Sequence, residues 1–146
     1  MKRRIFLTGG MAAGVAAVAA GAGLLVSRAV PAAYPKAQFS AKSVDDALGG
    51  RFEHSDDIKI KVPDSAENGA AVPVWVTTGI AGVSSISILA AKNGAPMTSK
   101  FVLGEGALGS VSTRIKMSET SDIIAVVEAN GKMYVNRKEV KVTNGC

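Results

Sequence analysis

Between Ile58 and Val142 apolar and polar residues alternate in short runs, and nearly every run stops at a turn-forming residue. A period of two sends successive side chains to opposite faces of a β-strand. Ile58-Lys59-Ile60-Lys61-Val62 is the plainest case, with one apolar face, one basic face and Pro63 to end it. Val72 to Thr77 repeats the pattern, with Val72, Val74 and Val76 on one side and Trp75 on the other. Pro73, near its start, points to an edge strand or to the opening residues of a strand. Val83 to Ala91 is rich in Ile, Val and Ser, and Asn93-Gly94 turns the chain towards a further strand over 98–103. After the connection Gly104-Glu105-Gly106, the run from Ser110 to Met117 sets Val111, Thr113, Ile115 and Met117 against Ser112, Arg114 and Lys116. Ile123 to Ala129 is almost continuously apolar, which predicts a central strand. Asn130-Gly131 is the strongest hairpin signal in the chain and leads into a last strand over 132–142.

The segment from Ala37 to Gly50 is polar and lacks strand signals. Ser43 to Leu48 predicts a short helix, with Ser43 as N-cap, Asp46 at the capping-box position and Gly49-Gly50 to stop it. Seven strands and one short helix predict an all-β, immunoglobulin-like sandwich of two sheets packed face to face. The expected organisation is an N-terminal segment with the short helix over 34–56, the sandwich over 57–143 and a C-terminal arm over 144–146.

Residues 1–33 have a different character. Lys2, Arg3 and Arg4 are followed by Ile5-Phe6-Leu7 and a Gly/Ala-rich stretch from Gly9 to Val26, which is the layout of a secretory leader. The pair Arg3-Arg4 followed by Phe6-Leu7 resembles a twin-arginine export signal. The stretch is short and dominated by Ala and Gly, so it makes a poor spanning helix, and no stable membrane anchor is expected. Ser27-Arg28-Ala29 and Val30-Pro31-Ala32 both offer small residues for cleavage, with the mature chain beginning near Tyr34.

The leader changes how the charge is read. The whole chain has 17 Lys and Arg against 12 Asp and Glu, a net +5. Four of the cations (Lys2, Arg3, Arg4 and Arg28) and no acidic residue lie in residues 1–33, which leaves 13 against 12 in the remainder, a net +1. Net basicity therefore gives no support to a nucleic-acid partner. The low aromatic content, 5%, also argues against a base-stacking platform.

Little chemistry is left once the core is assigned. The chain has one cysteine, Cys146, and one histidine, His54. No internal disulfide can form, and this pair cannot close a zinc shell, so no metal and no other cofactor is expected. Cys146 follows Thr143-Asn144-Gly145 with nothing apolar beyond the strand to pack its sulfur, which predicts an exposed thiol on a mobile tip. A thiolate is both nucleophile and leaving group in sulfur exchange, so such a tip could present covalent chemistry to another protein's cleft. His54 sits among Glu53, Ser55, Asp56 and Asp57 and reads as a solvated surface residue. Trp75 reads equally as a partner-facing side chain on the outer sheet face or as a corner of the core.

Three stretches carry a resemblance: Pro63 to Val74 (PDSAENGAAVPV), Val111 to Thr120 (VSTRIKMSET) and Lys138 to Cys146 (KEVKVTNGC). In order, and with the twin-arginine-type leader, they resemble SoxY, the sulfur-carrier subunit of the Sox thiosulfate-oxidation system, over roughly residues 43–146. The resemblance implies an immunoglobulin-like sandwich paired with a second β-sandwich subunit, SoxZ, in the periplasm. It implies that a c-type cytochrome enzyme couples thiosulfate oxidatively to the arm cysteine. A dimanganese hydrolase then releases sulfate, and a sulfane dehydrogenase, where one exists, oxidises the remaining sulfur. Carried onto this sequence, the attachment residue is Cys146, the arm is Asn144 and Gly145, and Thr143 is its root. The family's arm usually has a glycine where Asn144 stands and glycine after the cysteine. Asn tolerates left-handed backbone better than most residues.

Two other readings compete with a carrier. A non-catalytic periplasmic adhesion or assembly module would be indifferent to loss of residues 144–146, since a sandwich fold does not fix function. A thiol enzyme pairing Cys146 with His54 would need the tail to dock near the first strand.

Overall fold

The computed structural model describes residues 35–146. The export-signal expectation on Arg3, Arg4, Phe6 and Leu7, the absence of a membrane anchor and the start near Tyr34 lie outside the described residues.

Two short helices come first, α1 (Lys36–Ser40) and α2 (Val44–Leu48). α2 forms as its sequence dictates. Ser43 is extended and its hydroxyl accepts the Asp46 amide hydrogen at 3.1 Å, while Gly49 closes the helix in the left-handed region at φ 63°. α1 was not foreseen, because its five residues carry neither a side-chain cap nor an apolar periodicity.

Nine strands follow: β1 (Phe52–His54), β2 (Ile58–Lys61), β3 (Ser65–Asn68), β4 (Val72–Thr78), β5 (Val83–Ala90), β6 (Met97–Val102), β7 (Ser110–Ile115), β8 (Ser121–Ala129) and β9 (Lys132–Asn144). They make the expected all-β sandwich. One sheet runs β1-β9-β8-β5-β6, with β3 also paired to β9, and the other runs β2-β4-β7. The seven expected strands are all present, and β1 and β3 are additional. Both lie parallel to β9, β1 along Met133–Val135 and β3 along Lys141–Asn144. β1 is exposed at all three positions and β3 buries only Ala66, so neither shows the alternation that marks a strand in sequence.

The β2-β4-β7 sheet reads out the sequence pattern directly. Val72, Val74 and Val76 of β4 are fully buried, as are Ile58 of β2 and, nearly so, Val111 and Ile115 of β7. They meet Ile86, Ile88, Ile123, Ala125 and Val127 from the other sheet, forming one core between the sheets. β4 is the middle strand, not an edge. Pro73 is tolerated because β2 reaches only as far as the Lys61–Trp75 pair, so β2 has ended before Pro73 and no ladder bond to it is lost.

β5 and β8 are buried on both faces. Their alternate residues Leu89, Ile124 and Val126 belong to a second core, with Met97, Val135, and Ala47 and Leu48 of α2. The helices thus cover part of the outer face of the larger sheet. Asn130 and Gly131 turn β8 into β9 with positive φ values of 53° and 75°, as a two-residue hairpin of this twist requires.

Candidate functional site

The chain's cysteine is free and exposed, but the segment that carries it is not loose. β9 continues to Asn144, so Thr143 and Asn144 are strand residues, and Asn144 pairs with Asn68 of β3. Asn144 is extended; among the described residues only Asn130 is a non-glycine with positive φ. The Cys146 amide then donates to the Met117 carbonyl at 3.1 Å. Gly145 passes so close to the Ser118 carbonyl that a Cβ could not fit there. The expected mobile tip is therefore held along the end of β7, where backbone pairing and a close approach open to glycine supply the contacts.

The surface that receives the tail is itself fixed on both sides. Met117 donates its amide to the Gly69 carbonyl at 2.8 Å. Gly69 belongs to a single 3-10 turn, Gly69–Ala71, whose start is capped by the Asn68 side chain accepting the Ala70 amide at 2.8 Å. A Cβ on Gly69 would run into the Met117 carbonyl. From the opposite side Asn93 grips the same segment twice. Its Nδ2 donates to the Lys116 carbonyl at 2.7 Å and its Oδ1 accepts the Ser118 amide at 2.9 Å. The sequence marks Asn93 only as half of a turn and Gly69 only as one residue of the SoxY-like stretch 63–74. Spacing gives no signal for either, because both act on residues more than twenty positions away.

Thr143 at the root of the segment is exposed, and next to it Val142 is tied to Thr120, whose hydroxyl accepts the Val142 amide at 2.9 Å. Lys138, on the same strand, reaches Asp64 at 3.6 Å. The C-terminal tail thus extends a strand anchored from both sides, and its thiol lies just beyond the last strand pairing.

The remaining candidates lie elsewhere. His54 is exposed on β1, its Nε2 3.1 Å from Asp56, and β1 pairs with the beginning of β9. Val135, opposite His54, precedes Cys146 by eleven residues of extended chain. That is on the order of 35 Å, so His54 cannot act as base for the thiol. Trp75 is 44% exposed and points outward from the middle of the smaller sheet, which settles its two sequence readings in favour of the surface. Lys61 Nζ lies 5.8 Å from the Trp75 ring centroid, and the two side chains with Lys59, Ile60 and Thr77 line a shallow hollow of about 380 Å³.

The fold and site together describe a small all-β sandwich that displays one thiol at the end of a strand-supported tail. Residues 44–146 match the model of the sulfur oxidation protein SoxY family, and the chain belongs to that family. Among solved structures it is similar to the sulfur carrier protein SoxY from Chlorobium limicola f thiosulfatophilum, with 41% identity and a TM-score of 0.64 over 71% of this chain and 95% of that one. An engineered protein of known structure also aligns, at 18% identity and a TM-score of 0.40 over 58% of this chain and 20% of its own length, too distant to carry an argument. No curated protein matches the chain.

Proposed function

We propose that this protein is a periplasmic sulfur carrier that holds thiosulfate-derived sulfur covalently on Cys146 and passes it between partner enzymes. The observation that carries the reading is the exposed, free thiol at the end of β9 in a chain of the SoxY family. The twin-arginine-type leader supports export to the periplasm. In the loading step the Cys146 thiolate and the outer sulfur of thiosulfate form an S–S bond, and two electrons leave to the c-type cytochrome enzyme. Water then attacks the terminal sulfonate at the dimanganese hydrolase, which releases sulfate and two protons and leaves a persulfide on Cys146. A sulfane dehydrogenase, where one is encoded, oxidises that persulfide further. On this reading the chain is a presented substrate whose chemistry partner enzymes supply, and a SoxZ-like sandwich subunit is its stable partner.

Incubation with thiosulfate and the coupling enzyme should add one thiosulfate-derived group to the intact mass, removable by reductant and absent from Cys146→Ser. A thiol that stays unmodified throughout would overturn the reading. Undiminished function after deletion of residues 144–146 would instead favour the adhesion or assembly module.

A further inference from the structure

The outer face of the β2-β4-β7 sheet is unlike the rest of the surface. Its outward side chains are Lys59 and Lys61 from β2, Trp75 and Thr77 from β4, and Ser112 and Arg114 from β7, with Lys116 just beyond. The three strands contain no Asp or Glu, whereas the larger sheet carries Glu53, Glu67, Asp122, Glu128 and Glu139. The ion pairs among the described residues employ His54, Lys100, Arg137 and Lys138, so the four cations of this face have no carboxylate partner. The larger sheet has α2 packed on its outer side, but no described element covers this one. Concentrated like charge without internal compensation costs self-repulsion that a complementary surface relieves. Trp75 beside the hollow supplies the apolar anchor that interfaces favour at their centres.

The face also has a definite position relative to the thiol. Trp75 pairs with Ser112, and the chain runs from there through Arg114 and Lys116 to Met117, whose carbonyl holds the Cys146 amide. Five residues of extended chain, about 17 Å, separate the anchor from the tail's point of attachment. A protein seated on Trp75 would have Cys146 at its margin.

We infer that this face is the docking site for the enzyme that loads Cys146, and that the loading enzyme meets it with a carboxylate-bearing surface around an apolar recess. The inference rests on the carrier reading for the identity of that enzyme. A patch with four cations and one aromatic anchor suits a transient, salt-sensitive encounter; obligate interfaces are larger and more apolar. The SoxZ-like subunit is accordingly assigned to another surface.

The test is a titration of the mature carrier, in complex with its stable partner subunit, with the thiosulfate-coupling cytochrome enzyme. Wild type is compared with Trp75→Ala and with Lys59→Glu/Lys61→Glu/Arg114→Glu. Each variant should weaken binding about tenfold or more at low ionic strength, and the charge-reversed protein should lose most of the salt dependence. Alkylation of Cys146 by iodoacetamide should proceed at the wild-type rate in both, which shows that the thiol and its tail are intact. Equal affinity of wild type and variants, or no binding of wild type, would overturn the docking site. Dissociation of the stable subunit in the variants would overturn it too, by giving the face to that subunit. Binding that depends on the face without sulfur transfer to Cys146 would keep the docking site and reject the carrier reading.

Discussion

Ser85 is the one buried side chain among the described residues whose polar atom finds no hydrogen-bond partner. It lies on β5, 3% exposed, between Val102 of β6 and Glu128 of β8. A buried hydroxyl loses its hydration on folding and gains nothing here in return. Replacing it with hydrogen, as Ala does, should then remove a penalty and create only a small void. Ser85→Ala is expected to leave the protein as stable or more stable, by up to about 1 kcal/mol, with the urea unfolding midpoint as the measure. A loss of that size would mean that the hydroxyl is satisfied in solution. Ser84, the adjacent residue, shows the contrast: its hydroxyl donates to the Glu128 carbonyl at 3.1 Å. The sequence run Val83-Ser84-Ser85-Ile86 gives no means of telling the two serines apart, because a register shift between Val83 and Ser85 decides which one meets β8 favourably.

At the level of elements, legibility followed the source of the stabilisation. β2, β4 and β7 were readable because each alternates against a single core, and the β8–β9 hairpin because Asn130-Gly131 accepts positive φ at both positions. β1 and β3 were not, since parallel pairing with a strand some eighty residues later fixes them through backbone bonds that spacing does not reveal. The docking of the tail was hidden for the same reason, whereas its exposed thiol was visible in the composition. α2 combines both kinds of information. Its cap was legible, but five residues cannot hold a helix in water unaided. The rest comes from Ala47 and Leu48 packing on Leu89, Ile124, Val126 and Val135 of the larger sheet. Two substitutions separate the contributions. Ser43→Ala should cost about 1 kcal/mol as the Asp46 amide loses its acceptor. Leu48→Ala should cost about 2–4 kcal/mol through the lost burial and the void it leaves. Chemical denaturation followed by circular dichroism measures both. Equal costs would show that the helix is held mainly by its cap.

At the scale of the whole molecule, the two sheets and the reactive tail converge on one short segment. Met117 is fully buried in the core between the sheets, yet its backbone carries the tail on one side and the 3-10 turn on the other. The tail is therefore attached to a backbone segment whose Met117 side chain is fully buried, through a slight link: one amide hydrogen bond and a close approach at Gly145. A net hydrogen bond is worth about 1 kcal/mol, so the last two residues should leave their seat far more often than the domain unfolds. A carrier needs this combination. On the reading proposed above, a parked thiol would keep a fixed address beside the inferred docking face, and a weak attachment would let it enter a partner's cleft. The seat can be loosened without touching tail or core by Asn93→Ala, which removes both bonds to the 116–118 segment. Hydrogen exchange at the Cys146 amide should then become several-fold faster. Asn93 is half-buried in a turn outside the core, so the global loss should stay at about 1 kcal/mol, enough to lower the melting temperature by only a few degrees. Unchanged exchange at Cys146 would show that Asn93 does not support the seat. Faster exchange throughout the core strands would show that the 116–118 segment braces the sandwich itself.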